Sequence, residues 1–129
     1  MEGIPKRPSV GVGFRDTLQT MLDGCDGAVA GVVMGFDGIA VESVSRHPDL
    51  DVQTVSMEFS FVLTQVRKAA EILEVGGLEE VSVRSEKLTF IIRVLNDEYF
   101  LGLALRPEGN FGKGRFLMRM AVPDLRTQL

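Results

Sequence analysis

The feature that most constrains this chain is the nearly unbroken apolar run from Ala28 to Phe36, AVAGVVMGF. Asp37-Gly38 follows at once, then a second run from Ile39 to Val44. Two apolar runs joined by Asp-Gly specify a β-hairpin, with both turn residues expected at positive φ. A strand that faced water on one side would alternate apolar and polar residues. The first strand does not alternate, so both of its faces must be covered. The chain therefore needs one layer of structure above its sheet and another below.

The remaining segments supply those layers. Residues 1–12 hold Gly3, Pro5, Pro8 and Gly11 and read as a flexible tail. A helix is expected from Phe14, with Phe14, Leu18, Met21 and Leu22 at helical spacing; Gly24 and Asp26-Gly27 stop it. Pro48 breaks the chain, and Asp49 or Asp51 offers an N-cap for a long helix running to about Val75, ended by Gly76-Gly77. Three strands follow: Val81 to Ser85, Leu88 to Leu95 and Tyr99 to Leu105. A last helix covers Phe111 to Val122, with Pro123 placed to end it. The order is αββαβββα. It makes one domain, 13–122, between the tail at 1–12 and a short tail at 123–129. A chain of 129 residues can bury a sufficient core without a disulfide or metal staple.

The long helix carries two apolar stripes. At about 100° per residue, Val52, Val55, Val62, Leu63, Val66, Ala70 and Leu73 fall within about 60° of Phe59 and form a core-facing stripe. Leu50, Met57, Phe61, Ile72 and Val75 lie opposite, with Thr64 and Lys68 among them. One reading is that the fold wraps both sides of the helix. The sharper reading is an interface, because contiguous exposed apolar surface marks contacts.

Composition narrows the function. The net charge is −4, from 14 Lys+Arg against 18 Asp+Glu. A mildly acidic balance speaks against nucleic acid or an anionic membrane as partner, since both select basic patches. No long apolar run follows Lys6 and Arg7 at the N-terminus, so neither a signal peptide nor a transmembrane span is expected. Cys25 is the only cysteine, which excludes an intramolecular disulfide and fits a reducing, cytoplasmic setting.

Chemistry-bearing residues do not converge. His47 is the only histidine and lies in a loop before Pro48, so one chain cannot build a Cys/His metal site. Gly109-Asn-Phe-Gly-Lys-Gly114 stands between a strand and a helix, where phosphate cradles occur. It fails the Walker pattern, since Gly114 follows Lys113 where Ser or Thr is required. It reads instead as a flexible approach to the last helix. Glu79, Glu80, Asp97 and Glu98 are explained by solvated turns, and Arg115 with Arg119 by a solvated helix face. No catalytic residue, cofactor or metal is expected.

Taken together, these segments resemble the roadblock/dynein light chain domain family, and within it the bacterial MglB-type proteins. The likeness is carried by the hairpin Gly27 to Ser43, the helix end Glu74-Val-Gly-Gly77, the strand Leu78-Glu-Glu-Val-Ser-Val-Arg84, and the ending Gly109 to Arg119. It covers about residues 14 to 122. The resemblance implies a five-stranded, mostly antiparallel sheet with one long helix on one face and two helices on the other. It also implies dimers whose third strands pair across a two-fold axis. It further implies that the paired long helices form a platform for a small Ras-like GTPase, whose nucleotide cycle the protein modulates by assisting hydrolysis or exchange.

The expected interface residues are Met57, Phe61, Thr64, Gln65, Lys68 and Ile72 on the long helix and Val81 and Val83 on the third strand. The partners expected are a second copy of the chain and a Ras-like GTPase, with no nucleic acid and no membrane insertion. A dimerisation adaptor without GTPase contact is the alternative. A small-molecule sensor and an enzyme find less support in the residues.

Overall fold

The hairpin forms, but through a different turn. The computed structural model describes residues 10–129, with side chains from Gly13 onward. Strands β1 (Ala28–Gly35) and β2 (Ala40–Ser45) pair antiparallel. Gly38 N donates to Gly35 O and Gly35 N donates to Ile39 O, each at 2.9 Å. Within this turn only Gly38 has positive φ, at 86°. Asp37 accepts from Ile39 N through Oδ1 at 3.0 Å. The connection is therefore a longer turn completed by a left-handed glycine, not a two-residue turn with both positions at positive φ. A Cβ on Gly38 would also meet Met57 Cγ at 3.3 Å, because the hairpin tip packs on the long helix.

The other elements are α1 (Val10–Asp23), α2 (Val52–Leu73), β3 (Glu80–Arg84), β4 (Thr89–Val94), β5 (Tyr99–Leu105) and α3 (Phe111–Thr127). The sheet order is β2-β1-β5-β4-β3, and every pairing is antiparallel. The five strands with α2 on one face and α1 and α3 on the other are the expected architecture. Every residue of β1 is buried. Val32, Met34, Phe90, Ile92, Phe100 and Ala104 form the core under α2. Val33, Ile91, Leu101, Leu103 and Leu105 meet Phe14, Leu18, Met118 and Leu125 of α1 and α3 in the other. Gly102 lies at the centre, and a Cβ there would stand 2.6 Å from Phe90 Cζ. Its lack of a side chain makes room for the Phe90 ring.

Three boundaries differ from expectation. Helix α1 begins at Val10, so residues 10–12 are helix; the rest of the proposed tail, 1–9, lies outside the described residues. Helix α2 ends at Leu73, and the left-handed cap position falls on Glu74 (φ 55°), whose N–H donates to Ala70 O and Glu71 O. Helix α3 passes through Pro123 to Thr127, so most of the proposed C-terminal tail is helical. Proline removes one hydrogen bond, but Ala121, Val122 and Leu125 around it are buried, and that burial holds the helix past the break. No helix among the described residues is long and apolar enough to cross a membrane.

Candidate protein interface

The orientation of α2 decides which residues are available. Asp51 caps it: Oδ1 accepts from Thr54 N at 3.1 Å and Oδ2 from Thr54 Oγ1 at 2.7 Å. These bonds hold the Asp51 carboxyl below its usual range, the Thr54 hydroxyl contributing most. Val52, Ser56, Ser60 and Leu63 are the buried residues of the helix. Ser56 Oγ donates to Val52 O and Ser60 Oγ to Met57 O, both at 2.6 Å, so neither hydroxyl is left unsatisfied against the sheet. Phe59 stacks on Phe90 at 5.5 Å between centroids. The Arg67 guanidinium lies 3.9 Å from the Phe36 ring centroid, and Nη1 donates to Asp97 O at 3.2 Å. This contact ties α2 to the hairpin and to the β4–β5 turn.

The buried face is therefore rotated from the expected stripe. Val62 and Leu73, assigned to the core from periodicity, are exposed at 52% and 68%. Ser56 and Ser60 occupy the sheet-facing positions instead. Small side chains with internally bonded hydroxyls let the helix lie close to the sheet, which a count of apolar residues does not register.

The outward ridge contains the interface candidates. Phe61 is 63% exposed and Ile72 80%; Met57 is partly covered by the hairpin tip and still 38% exposed. Gln65 and Lys68 are exposed beside them, and Thr64 is half-buried with its hydroxyl donating to Ser60 O at 3.0 Å. Val75 is exposed as its place in the outward stripe implies, and Val62 and Leu73 extend this apolar surface beyond that stripe.

The strand candidates lie at the sheet margin. Among the described strands β3 pairs only with β4, leaving its outer edge free. Val81 pairs with Ile92 and Val83 with Phe90, which belong to the core under α2. Both valines thus point to the α2 side of the sheet, and both are half-buried. A free edge with apolar side chains is a template for another strand.

The opposite face of β3 holds a cluster that sequence reasoning assigned to solvent. Glu80 Oε1 accepts from Arg93 Nη1 at 3.1 Å, and Oε2 accepts from Arg115 Nε at 2.6 Å. The Glu80 side chain is only 15% exposed. The guanidinium carbons of Arg84 and Arg115 lie 5.0 and 5.7 Å from the Phe111 ring centroid. The cluster ties the edge strand to β4 and α3. Its members are up to 35 residues apart, so no local pattern announces it.

Nothing comparable supports catalysis among the described residues. No group of His, Cys, Asp and Glu there could hold a metal. His47 is exposed, with Nδ1 accepting from Asp49 N at 3.3 Å. Cys25 is buried, and burial pushes its thiol up, away from the reactive thiolate. The approach to α3 is pinned, contrary to the flexible reading. Asn110 N donates to Asp26 O at 2.9 Å, and Asn110 Oδ1 accepts from Lys113 N at 3.0 Å. The chain's own side chain takes an amide that a phosphate cradle would offer.

No family model matches the chain, and no curated protein matches it either. Solved structures do. MglC from Myxococcus xanthus is 43% identical, with 91% of this chain and 99% of that chain covered and a TM-score of 0.67. The gliding protein MglB from Thermus thermophilus is 13% identical over 95% of this chain and 93% of that one, with a TM-score of 0.83. A Roadblock/LC7 domain from Streptomyces avermitilis is 15% identical over 86% and 92%, with a TM-score of 0.76. The two low identities speak for the fold alone. The likeness to MglC, at its identity and coverage, goes further: the chain belongs to the roadblock-domain family, among the relatives of MglC and MglB.

Proposed function

We propose that the chain is a non-catalytic, dimeric regulator or scaffold that binds a small Ras-like GTPase and modulates its nucleotide cycle, in a reducing cytoplasmic setting. The observation that carries this reading is the outward ridge of α2, where Phe61 and Ile72 stand exposed outside either core. The free edge of β3, with Val81 and Val83 on the same side of the sheet, supports it.

The magnitudes require both elements. Covering one large apolar side chain contributes about 1.5–3 kcal/mol. In a two-fold seam each residue counts twice, so full covering of Phe61 and Ile72 would supply at most about 6–12 kcal/mol, and partial covering less. Association alone costs about 4–15 kcal/mol. The helix ridge therefore needs the β3 edge as well to hold a stable dimer. The seam would cover part of the ridge. A mixed ledge of Phe61, Thr64, Gln65 and Lys68 would remain for the GTPase, a composition suited to a transient partner.

The test is a pull-down with a Ras-like GTPase loaded with GDP or a GTP analogue, using the wild type and Phe61→Asp. The wild type should retain the GTPase and the variant should not. Hydrolysis and exchange rates of the GTPase with and without the chain then separate the two modes of action. Normal binding by a dimeric Phe61→Asp protein would overturn the platform assignment.

A further inference from the structure

The side of the molecule away from α2 carries a second surface. Helices α1 and α3 leave between them a groove of about 300 Å³ floored by Met21, Leu117 and Ala121 and flanked by Met120. Met120 is 62% exposed and Phe116, one turn earlier on α3, is 46% exposed. Thr17 and Thr20 also line the groove, but their hydroxyls donate to Gly13 O at 3.1 Å and Asp16 O at 2.9 Å. They offer an occupant little hydrogen bonding. The charged residues of the lining are Asp16 and Asp124, both carboxylates. Neither has an ion-pair partner among the described residues.

We propose that this groove docks a basic amphipathic segment of a partner protein. Its apolar side chains would lie over Met21, Leu117, Ala121 and Met120, and its Lys or Arg residues would face Asp16 and Asp124. The shape suits an apolar ridge, and exposed Met and Phe are residues that interfaces favour. The sign of the rim selects the charge. Two carboxylates with no cation between them among the described residues attract a basic segment and repel an acidic one or an anionic lipid surface. Because the groove lies across the sheet from the α2 ridge, a molecule engaged through α2 keeps it open. Phe61 is not part of the groove, so docking here is independent of GTPase binding.

The test uses the full chain and two synthetic amphipathic helices with the same leucine pattern, one carrying lysines and the other glutamates. Fluorescence anisotropy should show the lysine helix binding at least tenfold more tightly. Asp16→Lys with Asp124→Lys should reverse that order, and Met120→Gln should weaken the lysine helix at least tenfold. Glu58→Lys on α2 should leave both affinities unchanged. Should the double lysine variant fail to fold, Asp124→Asn alone should still narrow the preference severalfold. Equal binding of the two helices, or no effect of the Asp substitutions, would overturn the proposal. So would association with anionic lipid vesicles in place of the peptide. Binding that appears only after residues 1–9 are removed would also overturn it, assigning the groove to the chain's own Lys6 and Arg7.

Discussion

The rings of Phe59 and Phe90 stack with centroids 5.5 Å apart and planes 18° from parallel, so α2 is fastened to the middle of the sheet by an aromatic pair. Two residues on, Phe61 points away from this contact. Phe59→Asp should leave the chain unfolded at 37 °C, because it removes a packed ring and places a carboxylate against the core. The loss is roughly 3–5 kcal/mol or more, comparable with the stability of a whole domain. Phe61→Asp should keep the wild-type melting temperature within a few degrees and lose the dimer, the GTPase, or both. Circular dichroism melts of the two variants check the contrast; equal melting temperatures would contradict the orientation of α2.

Glu80 holds the edge strand to the body through Arg93 and Arg115. Glu80→Ala should lower stability by about 1–2 kcal/mol, since it removes two charge-assisted hydrogen bonds at a partly exposed site and leaves two guanidinium groups near each other. Chemical denaturation measures this directly. Hydrogen exchange should rise first in β3, the strand whose anchor is lost.

Pro123 sits in the interior of α3 on its exposed side. Pro123→Ala restores a donor to the Arg119 carbonyl and relieves the ring's clash with that turn, while giving the unfolded chain more freedom. The first effect exceeds the second. The variant should be more stable by roughly 1 kcal/mol, seen as a melting temperature a few degrees higher. A lower melting temperature would mean that the proline is needed where it stands.

The Asp51 cap makes part of the stability depend on pH. The folded-state carboxyl is shifted down by its bonds to Thr54. A depressed pKa contributes stability that is present above the unfolded carboxylate pKa and is lost as pH falls through the folded one. Asp51→Ala should therefore melt below the wild type at pH 7, and the gap should close in acid. Melting curves from pH 7 down to about 2.5 cover the window set by an ordinary carboxylate near 3.9.

Much of this architecture is legible in the residues. Strand β5 runs Tyr99–Leu105 as its apolar composition indicates, and Asp51 caps α2 as an Asp before a periodic segment should. What the sequence hides has a common cause, in that contacts from elsewhere in the chain override the local signal. Ser56 and Ser60 carry no apolar signal but lie on the sheet, which turns α2 and exposes Val62. Pro123 looks like a stop, but Val122 and Leu125 are buried on either side of it. Glu80 looks like a strand-end carboxylate, but its partner Arg115 arrives from α3. The outward apolar residues Phe61 and Ile72 of α2 are legible because an apolar residue facing away from the core leaves its mark in the helical period.

Self-association through the α2 ridge and the β3 edge is the central claim, and sedimentation equilibrium at micromolar concentration tests it most directly. The wild type should sediment at twice the 14.1 kDa chain mass, and Phe61→Asp with Val83→Lys should sediment as a folded monomer. A wild type that stays monomeric at tens of micromolar, or a dimer indifferent to both substitutions, would contradict it.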